Sequence, residues 1–145
     1  MLEEKLMEKA ISLMREKGQK SVELAKFEVL QEKVMNPTLQ EALKYFIEDW
    51  NDFLHPALLF LACEAVGGDP KFTTQFGSSI VLLAGGADIH DDIIDKSIVK
   101  EPKQTVFGKF GEDIAILAGD ILLLKGLFLL NEACDLLSKT KKREV

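Results

Sequence analysis

The chain has 145 residues, of which 47% are hydrophobic and 29% are charged, and this length and composition are typical of one soluble globular domain. Its formal net charge of −6 argues against a general affinity for nucleic acid, because a phosphate backbone attracts basic surfaces. Glu3 and Glu4 occupy the region where a signal peptide would carry basic and then apolar residues, so a cytoplasmic location is expected.

The N-terminal part of the chain shows the periodicity of amphipathic helices, and no alternating pattern predicts strands. A first apolar stripe is predicted to end near Gly18, and Ser21 is expected to cap a second helix. Asn36 followed by Pro37 is typical of a helix start, so a third helix is predicted to begin there.

The remainder of the chain is also predicted to be helical. Proline and glycine positions delimit three further helices, over about 56–66, 71–96 and 112–138. A polar loop is predicted over 97–105, and the basic residues between 139 and 143 are expected to form a solvated C-terminus. The sequence therefore predicts a single all-α domain over residues 1–145.

Two of the predicted helical stretches, 56–66 and 114–130, are apolar on nearly every side. This pattern predicts burial all round, and a chain of this length has too little surface to cover both helices. Association with another chain is therefore expected. Asp120 and Lys125 interrupt the second stretch, which argues against a membrane span.

An aspartate cluster is the strongest chemical signal in the sequence. Four carboxylates recur at positions i, i+3, i+4 and i+7 and so share one helix face: Asp88, Asp91, Asp92 and Asp95. Like charges this close repel one another, and apolar surroundings raise the cost unless a cation neutralises them. Carboxylate oxygens suit Mg²⁺, which completes its coordination shell with water and phosphate oxygens. The alternative is a solvated acidic face, but the apolar flanks favour a magnesium-bridged diphosphate site.

Three segments resemble the trans-type isoprenyl diphosphate synthases in sequence, order and spacing. They are residues 55–69 (HPALLFLACEAVGGD), 90–95 (HDDIID) and 110–120 (FGEDIAILAGD). The likeness covers most of this chain but only the N-terminal half of a usual family member. It implies a helical bundle similar to the N-terminal half of the isoprenoid synthase fold. Members of this family join an allylic diphosphate to isopentenyl diphosphate.

The resemblance also implies roles for individual residues. The family's first aspartate-rich motif binds the allylic diphosphate through Mg²⁺, so Asp91, Asp92 and Asp95 would be the metal-bridging ligands. Lys100 falls where the family has an arginine that contacts diphosphate, and it would touch the allylic diphosphate. Asp88 replaces a usually apolar residue, and it either adds a metal ligand or blocks the mouth of the channel.

Gly86 and Ala87 lie five and four positions before Asp91, where the family uses side-chain bulk to form the floor of the product channel. Small residues there resemble the members that make long products. Equally, the small residues can serve helix packing. His90 and Asp120 are expected to make structural hydrogen bonds rather than to bind metal.

Departures from the family pattern affect the isopentenyl side of the site. Asp52 and His55 replace a lysine and an arginine, and Glu101 replaces a second diphosphate-binding arginine. Acidic groups repel a diphosphate, so the isopentenyl site is expected to be lost. The family's second aspartate-rich motif, which lies in the C-terminal half of members, is not found in these 145 residues.

The sequence therefore supports one main hypothesis and two alternatives. The chain is predicted to be the small subunit of a heteromeric prenyl diphosphate synthase, paired with a full-length homologue, or else a homodimer. It would be inactive or weak alone, and it would use Mg²⁺ and an allylic prenyl diphosphate. The alternatives are a non-catalytic prenyl-diphosphate-binding or regulatory protein, and a fragment of a full-length synthase.

Overall fold

The computed structural model describes residues 2–137, and the predicted basic C-terminus lies outside this range. Helices dominate the described chain, which confirms the all-α prediction. In chain order the elements are α1 (Leu2–Gln31), α2 (Pro37–Asp49), α3 (Leu54–Ala65), a 3₁₀ turn (Pro70–Phe72), α4 (Thr73–Ile94), β1 (Val99–Lys100), β2 (Lys103–Gln104), α5 (Val106–Phe110) and α6 (Glu112–Asp135).

The first helix is continuous, so the prediction of two helices separated near Gly18 is wrong. Gly18 and Ser21 are both buried within α1. A β-carbon on Gly18 would lie only 2.7 Å from the carbonyl oxygen of Phe53, and one on Gly77 would overlap the Ser21 side chain. The small residues therefore let α3 and α4 approach α1, and they do not end the helix.

The hydrophobic core lies between α1, α2, α4 and α6, and Val106 of α5 adds to it. Its largest fully buried side chains include Leu43, Ile47, Leu82, Ile89 and Leu122. Two of these come from α2, two from α4 and one from α6. A buried hydroxyl also joins α4 to α6, since Ser79 Oγ donates a 2.8 Å hydrogen bond to the Gly126 carbonyl.

The two most apolar stretches are only partly covered in the single chain, as expected for a chain with too little surface to bury both. In α3 only Pro56 and Ala57 are buried. One face of α6 leaves five large apolar side chains 39–67% exposed: Ile116, Leu117, Leu124, Leu127 and Phe128. We call these five residues the α6 apolar face. None of the helices in residues 2–137 has the length and apolarity needed to cross a membrane.

The ends of α3 and α4 have the same hydrogen-bonded turn. After α3, Gly67 N–H donates to Glu64 and Gly68 N–H to Cys63, with Gly67 at φ 73°. After α4, Lys96 occupies the corresponding left-handed position at φ 54°. These are Schellman turns, which satisfy the last carbonyls of a helix. The predicted glycine stop after residue 66 is thus confirmed, and α4 ends two residues before the predicted 96.

The predicted loop 97–105 contains a small antiparallel hairpin, in which Val99 pairs with Gln104 and Lys100 pairs with Lys103. The Glu101–Pro102 peptide at its turn is cis. The short helix α5 follows directly, and neither the hairpin nor α5 has a periodic pattern of apolar residues in the sequence. This hairpin carries Lys100 to the aspartate cluster.

Candidate functional site

The hairpin is fixed at its C-terminal end by Thr105. The buried hydroxyl of Thr105 donates a 2.7 Å hydrogen bond to the Ser97 carbonyl and accepts a 2.8 Å hydrogen bond from Gly108 N–H. Thr105 is therefore the N-cap of α5, and it also closes the loop that leads back to α4. This double role holds the two ends of the hairpin together.

A second set of contacts attaches the hairpin to α2. Tyr45 Oη donates a 2.9 Å hydrogen bond to the Gln104 carbonyl, and Lys103 Nζ donates a 2.9 Å bond to the Tyr45 carbonyl. Lys103 also pairs with Asp49, and this pairing lowers the pKa of that carboxyl. The Lys103 ammonium lies 3.5 Å from the centre of the Tyr45 ring, a cation–π contact. The hairpin is thus held between α2 and α4.

These contacts place Lys100 directly over the aspartate cluster of α4. Its Nζ lies 2.8 Å from Oδ1 of Asp88 and 2.8 Å from Oδ1 of Asp92. Asp88 and Asp92 are one helical turn apart, so their carboxylates face the same point. The contact with Asp88 is a hydrogen bond. With Asp92, Lys100 forms an ion pair.

Burial dominates the electrostatics of Asp92, whose exposed fraction is 4%. Removal from water raises its pKa, and the repulsion from Asp88 and Asp91 adds to the rise, while the Lys100 ammonium opposes it. Burial by itself would lower the pKa of Lys100. The ion pairs with Asp88 and Asp92 together outweigh that effect, so the pKa of Lys100 is raised and its ammonium stays charged.

The other two predicted metal ligands, Asp91 and Asp95, are exposed. Asp95 is the C-cap of α4, and neither side chain forms an ion pair with another described residue. No group of three His, Cys, Asp or Glu side chains within residues 2–137 is arranged to hold a metal ion.

The donor chemistry nevertheless fits Mg²⁺. Every donor is a hard carboxylate oxygen, and the buried Oδ1 of Asp92 accepts no hydrogen bond from the described residues. The point at which Asp88 and Asp92 converge is taken by the Lys100 ammonium. Metal ligation by Asp91, Asp92 and Asp95 stays a prediction.

A cavity of about 180 Å³ opens beside the Lys100 ammonium, between α2, α4 and the hairpin. Its walls include Tyr45, Phe46, Trp50, Asp92 and Lys103. The cavity combines aromatic rings with two ammonium groups and a buried carboxylate. Such a mixture of apolar walls and a few charged groups is typical of small-molecule sites.

A second cavity, of about 420 Å³, is also lined by Trp50 and contains Asp52 and His55, two of the three residues predicted to have lost isopentenyl binding. Glu101, the third, does not line it. Asp52 Oδ2 and His55 Nδ1 are 2.6 Å apart, and Asp52 also accepts a hydrogen bond from His55 N–H. The two side chains are therefore engaged with each other. Asp88 completes the wall, so two carboxylates and a histidine occupy the cavity wall without any lysine or arginine.

His90 belongs to the packing between α4 and α6, as the sequence predicts. Its Nε2 lies 3.3 Å from the Ile116 carbonyl and 3.4 Å from Asp120 Oδ1. A β-carbon on Gly119 would overlap the imidazole ring, so Gly119 provides the space for it. Asp120 is exposed, and its contact with His90 is a surface interaction.

Gly86 also lies at the α4–α6 contact, where a β-carbon would come within 2.8 Å of the Gly119 carbonyl oxygen and of Leu123 Cγ. Helix packing therefore accounts for this glycine. Ala87 is exposed on the opposite side. The role of Gly86 and Ala87 as the floor of a product channel stays a prediction.

The sequence reasoning missed Tyr45, Asp49 and Lys103, which tie the hairpin to α2. These residues lie more than 50 positions apart along the chain, between 45–49 and 103–104. No local spacing links them, and only the fold brings them together. The sequence also gave no sign that Lys100 pairs with Asp88.

Comparison with known proteins gives consistent results. A sequence model of the family described as polyprenyl synthetase matches residues 36–144. The chain is 36% identical over 88 residues to geranylgeranyl pyrophosphate synthase 11, chloroplastic, of Arabidopsis thaliana, an alignment that covers 59% of this chain and 25% of the relative. It is 34% identical over 112 residues to geranylgeranyl diphosphate synthase of Methanosarcina mazei, covering 70% and 35% of the two chains.

Among solved structures, the crystal structure of geranylgeranyl pyrophosphate synthetase from Pyrococcus horikoshii Ot3 superposes with a TM-score of 0.76 at 29% identity. The superposition covers 94% of this chain and 41% of that one. The matched part of the chain thus spans between a quarter and about a third of the two curated relatives. The described helices form part of the isoprenoid synthase fold.

Proposed function

The chain belongs to the polyprenyl synthetase family, and from that premise we propose that it is the small subunit of a heteromeric trans-prenyltransferase. Its partner would be a full-length homologue that carries the complete active site. The small subunit would contribute to product length or to the stability of the complex. Alone it would be inactive or weakly active.

The α6 apolar face is the observation that carries this proposal. Five large apolar side chains are exposed there, and a group of exposed apolar side chains is typical of interfaces in soluble proteins. The relatives are about three to four times longer than the matched segment, so they have further chain that could cover such a face. In the proposed complex a partner polypeptide covers it. The alternatives are a second copy of this chain, forming a homodimer, and, if these residues are a fragment of a full-length synthase, the rest of that synthase.

The aspartate cluster supports a role in diphosphate binding. In the proposed complex Asp91, Asp92 and Asp95, with Asp88 as a further candidate, would hold Mg²⁺, and Lys100 would contact the allylic diphosphate. The chemistry that Mg²⁺ supplies at such a site is neutralisation of the charge that builds on the departing diphosphate. The carboxylates would orient the allylic group relative to the cavity beside Lys100.

The isopentenyl side of the chain does not support catalysis by this chain alone. Asp52 and His55 bind each other, and Asp88 lines the same cavity. A diphosphate entering there would meet carboxylates. The partner would therefore supply isopentenyl diphosphate binding.

A prenyl transfer assay tests the proposal directly. The chain is assayed alone and co-expressed with the full-length homologue from the same organism, with Mg²⁺, labelled isopentenyl diphosphate and allylic primers. Product formed only in the mixture, or longer than the homologue makes alone, is the expected result. An unchanged rate and product length in the mixture would contradict it. Mg²⁺-dependent binding of an allylic diphosphate without any effect on the homologue would instead identify a binding or regulatory protein.

A double substitution, Asp91→Asn with Asp92→Asn, separates a working allylic site from a purely structural subunit. If this chain binds the allylic substrate in the complex, we expect activity to fall at least 100-fold. The matched control is Glu3→Gln with Glu8→Gln, which removes two charges from exposed positions of α1 outside the family match. Normal activity of the complex that contains the double mutant would show that only the active site of the partner is catalytic. The mass of the native protein in its source cells distinguishes a small subunit from a fragment.

A further inference from the structure

The aspartate cluster already contains a cation, and that cation belongs to the chain. Lys100 Nζ lies 2.8 Å from one oxygen of Asp88 and 2.8 Å from one oxygen of Asp92. An ammonium is a compact, strongly hydrated point charge, so it balances two converging carboxylates as a metal ion would. Asp88 and Lys100 are both departures from the family pattern described above, and here they are partners.

The surrounding contacts hold this lysine in place. Thr105 ties both ends of the hairpin together, and Tyr45 and Lys103 join it to α2. The Lys100 side chain is itself about half exposed, so it can move away from the cluster while the hairpin stays in place. Asp92, by contrast, is buried on α4 and cannot follow it.

We propose that Lys100 is an internal counter-ion that excludes divalent metal from the aspartate cluster until a diphosphate draws the lysine away. A divalent ion entering the cluster must displace the ammonium from Asp88 and Asp92, because both ions need the same oxygens. The displaced ammonium would then face a cation across a few ångströms, which is repulsive. A diphosphate removes this repulsion because its oxygens pair with the ammonium and with the metal together.

The consequence is that metal and diphosphate bind as one unit. The inference rests on the proposed function for the identity of the anion, since a diphosphate is the ligand that this family site would take. Under the proposed function Lys100 contacts only the allylic diphosphate. In the present inference Lys100 pairs first with the carboxylates of Asp88 and Asp92 and afterwards with the diphosphate. Asp88 becomes the residue that holds the lysine in its first position.

The test measures metal binding to the isolated chain and does not depend on prenyl transfer. Mn²⁺ binding is measured by electron paramagnetic resonance for the wild type, Lys100→Gln and the matched control Lys96→Gln, which removes the same charge from an exposed residue of the same loop. We expect Lys100→Gln to bind Mn²⁺ at least tenfold more tightly than the wild type, and Lys96→Gln to resemble the wild type. Equal affinity in folded wild type and Lys100→Gln, or an equal gain in both variants, would overturn the proposal.

A measurement on the wild type keeps the proposal testable if Lys100→Gln does not fold. Labelling by an amine-reactive ester is followed by mass spectrometry at Lys100, with Lys96 of the same chain as the internal reference. MgCl₂ alone should leave the labelling rate at Lys100 relative to Lys96 unchanged, because the ammonium stays on Asp88 and Asp92. MgCl₂ together with inorganic pyrophosphate should change the ratio, because the amine exchanges its carboxylate partners for the diphosphate. A change with MgCl₂ alone, or an unchanged ratio with both, would overturn the proposal. The co-expression assay does not depend on the outcome of this labelling experiment. The proposed function is therefore tested independently of the role of Lys100.

Discussion

Asp92 is the residue at which burial and ion pairing oppose each other most directly. Burial raises its pKa despite the Lys100 ammonium, so the folded chain binds a proton on Asp92 more tightly than the unfolded chain does. The stability that follows is present below the unfolded pKa of about 3.9 and is lost as the pH rises through the higher folded pKa. At neutral pH the ionised carboxylate therefore costs stability.

We expect Asp92→Asn to raise the free energy of unfolding at pH 7, because burial makes the ionised carboxylate of the wild type unfavourable there. The gain should shrink as the pH falls through the raised pKa of the folded wild type, where the carboxyl takes up its proton. Urea denaturation at several pH values measures this difference. Asp91→Asn, at an exposed position of the same turn, should change stability little at any of these pH values. A loss of stability in Asp92→Asn at pH 7 would show that the ion pair outweighs burial.

At the scale of single elements, the ends of α3 and α4 differ in the type of residue at the left-handed position of the turn. Both have the same turn, but the left-handed position is Gly67 after α3 and Lys96 after α4. An L-residue with a β-carbon pays about 1–2 kcal/mol to adopt this conformation. Glycine recovers most of that cost but loses more backbone entropy on folding.

Lys96→Gly should therefore increase the free energy of unfolding by about 0.5–1 kcal/mol, as measured by urea denaturation. Lys96→Ala is the matched control, because it removes the same charge and keeps the β-carbon. It should give no gain. If alanine stabilises the chain as much as glycine does, the effect arises from the lysine charge and not from the backbone.

The sequence predicted elements well where their signals are local. Asn36 accepts hydrogen bonds from Thr38 and Leu39 N–H, so the predicted cap is confirmed at the start of α2. Gly18 misled the prediction because its role is tertiary, namely contact with Phe53. The hairpin and α5 were missed because each is too short for a periodic pattern, and contacts with distant residues hold the hairpin in place.

The distinction between local sequence signals and contacts between distant residues also applies to the candidate site. Asp88 and Asp92 are one helical turn apart, so their spacing predicts that they share a helix face, and the structure brings both to Lys100. The position of Lys100 depends on the path of the hairpin between Ser97 and Thr105, which no local pattern encodes. Burial was equally hard to predict, since Asp92 is buried while the adjacent Asp91 is exposed.

At the scale of the whole molecule, the α6 apolar face gives the sharpest prediction about assembly. Leu124 and Phe128 are one turn apart and are 56% and 67% exposed, so charge introduced there should leave the core intact. Large apolar and aromatic side chains near the centre of an interface carry much of its binding energy. Two carboxylates placed against an apolar partner surface would also be buried without partners.

We therefore expect Leu124→Glu with Phe128→Glu to weaken association with the full-length homologue, or self-association if the chain is a homodimer, by at least about 100-fold, or about 2.7 kcal/mol. Size-exclusion chromatography with light scattering, on the co-expressed pair and on the chain alone, measures this loss. Met35→Glu is the control, since Met35 is fully exposed between α1 and α2. Thermal unfolding of the monomeric double mutant should match that of the wild-type monomer. An intact complex in the double mutant would place the partner on another surface and would remove the main support for a heteromeric subunit.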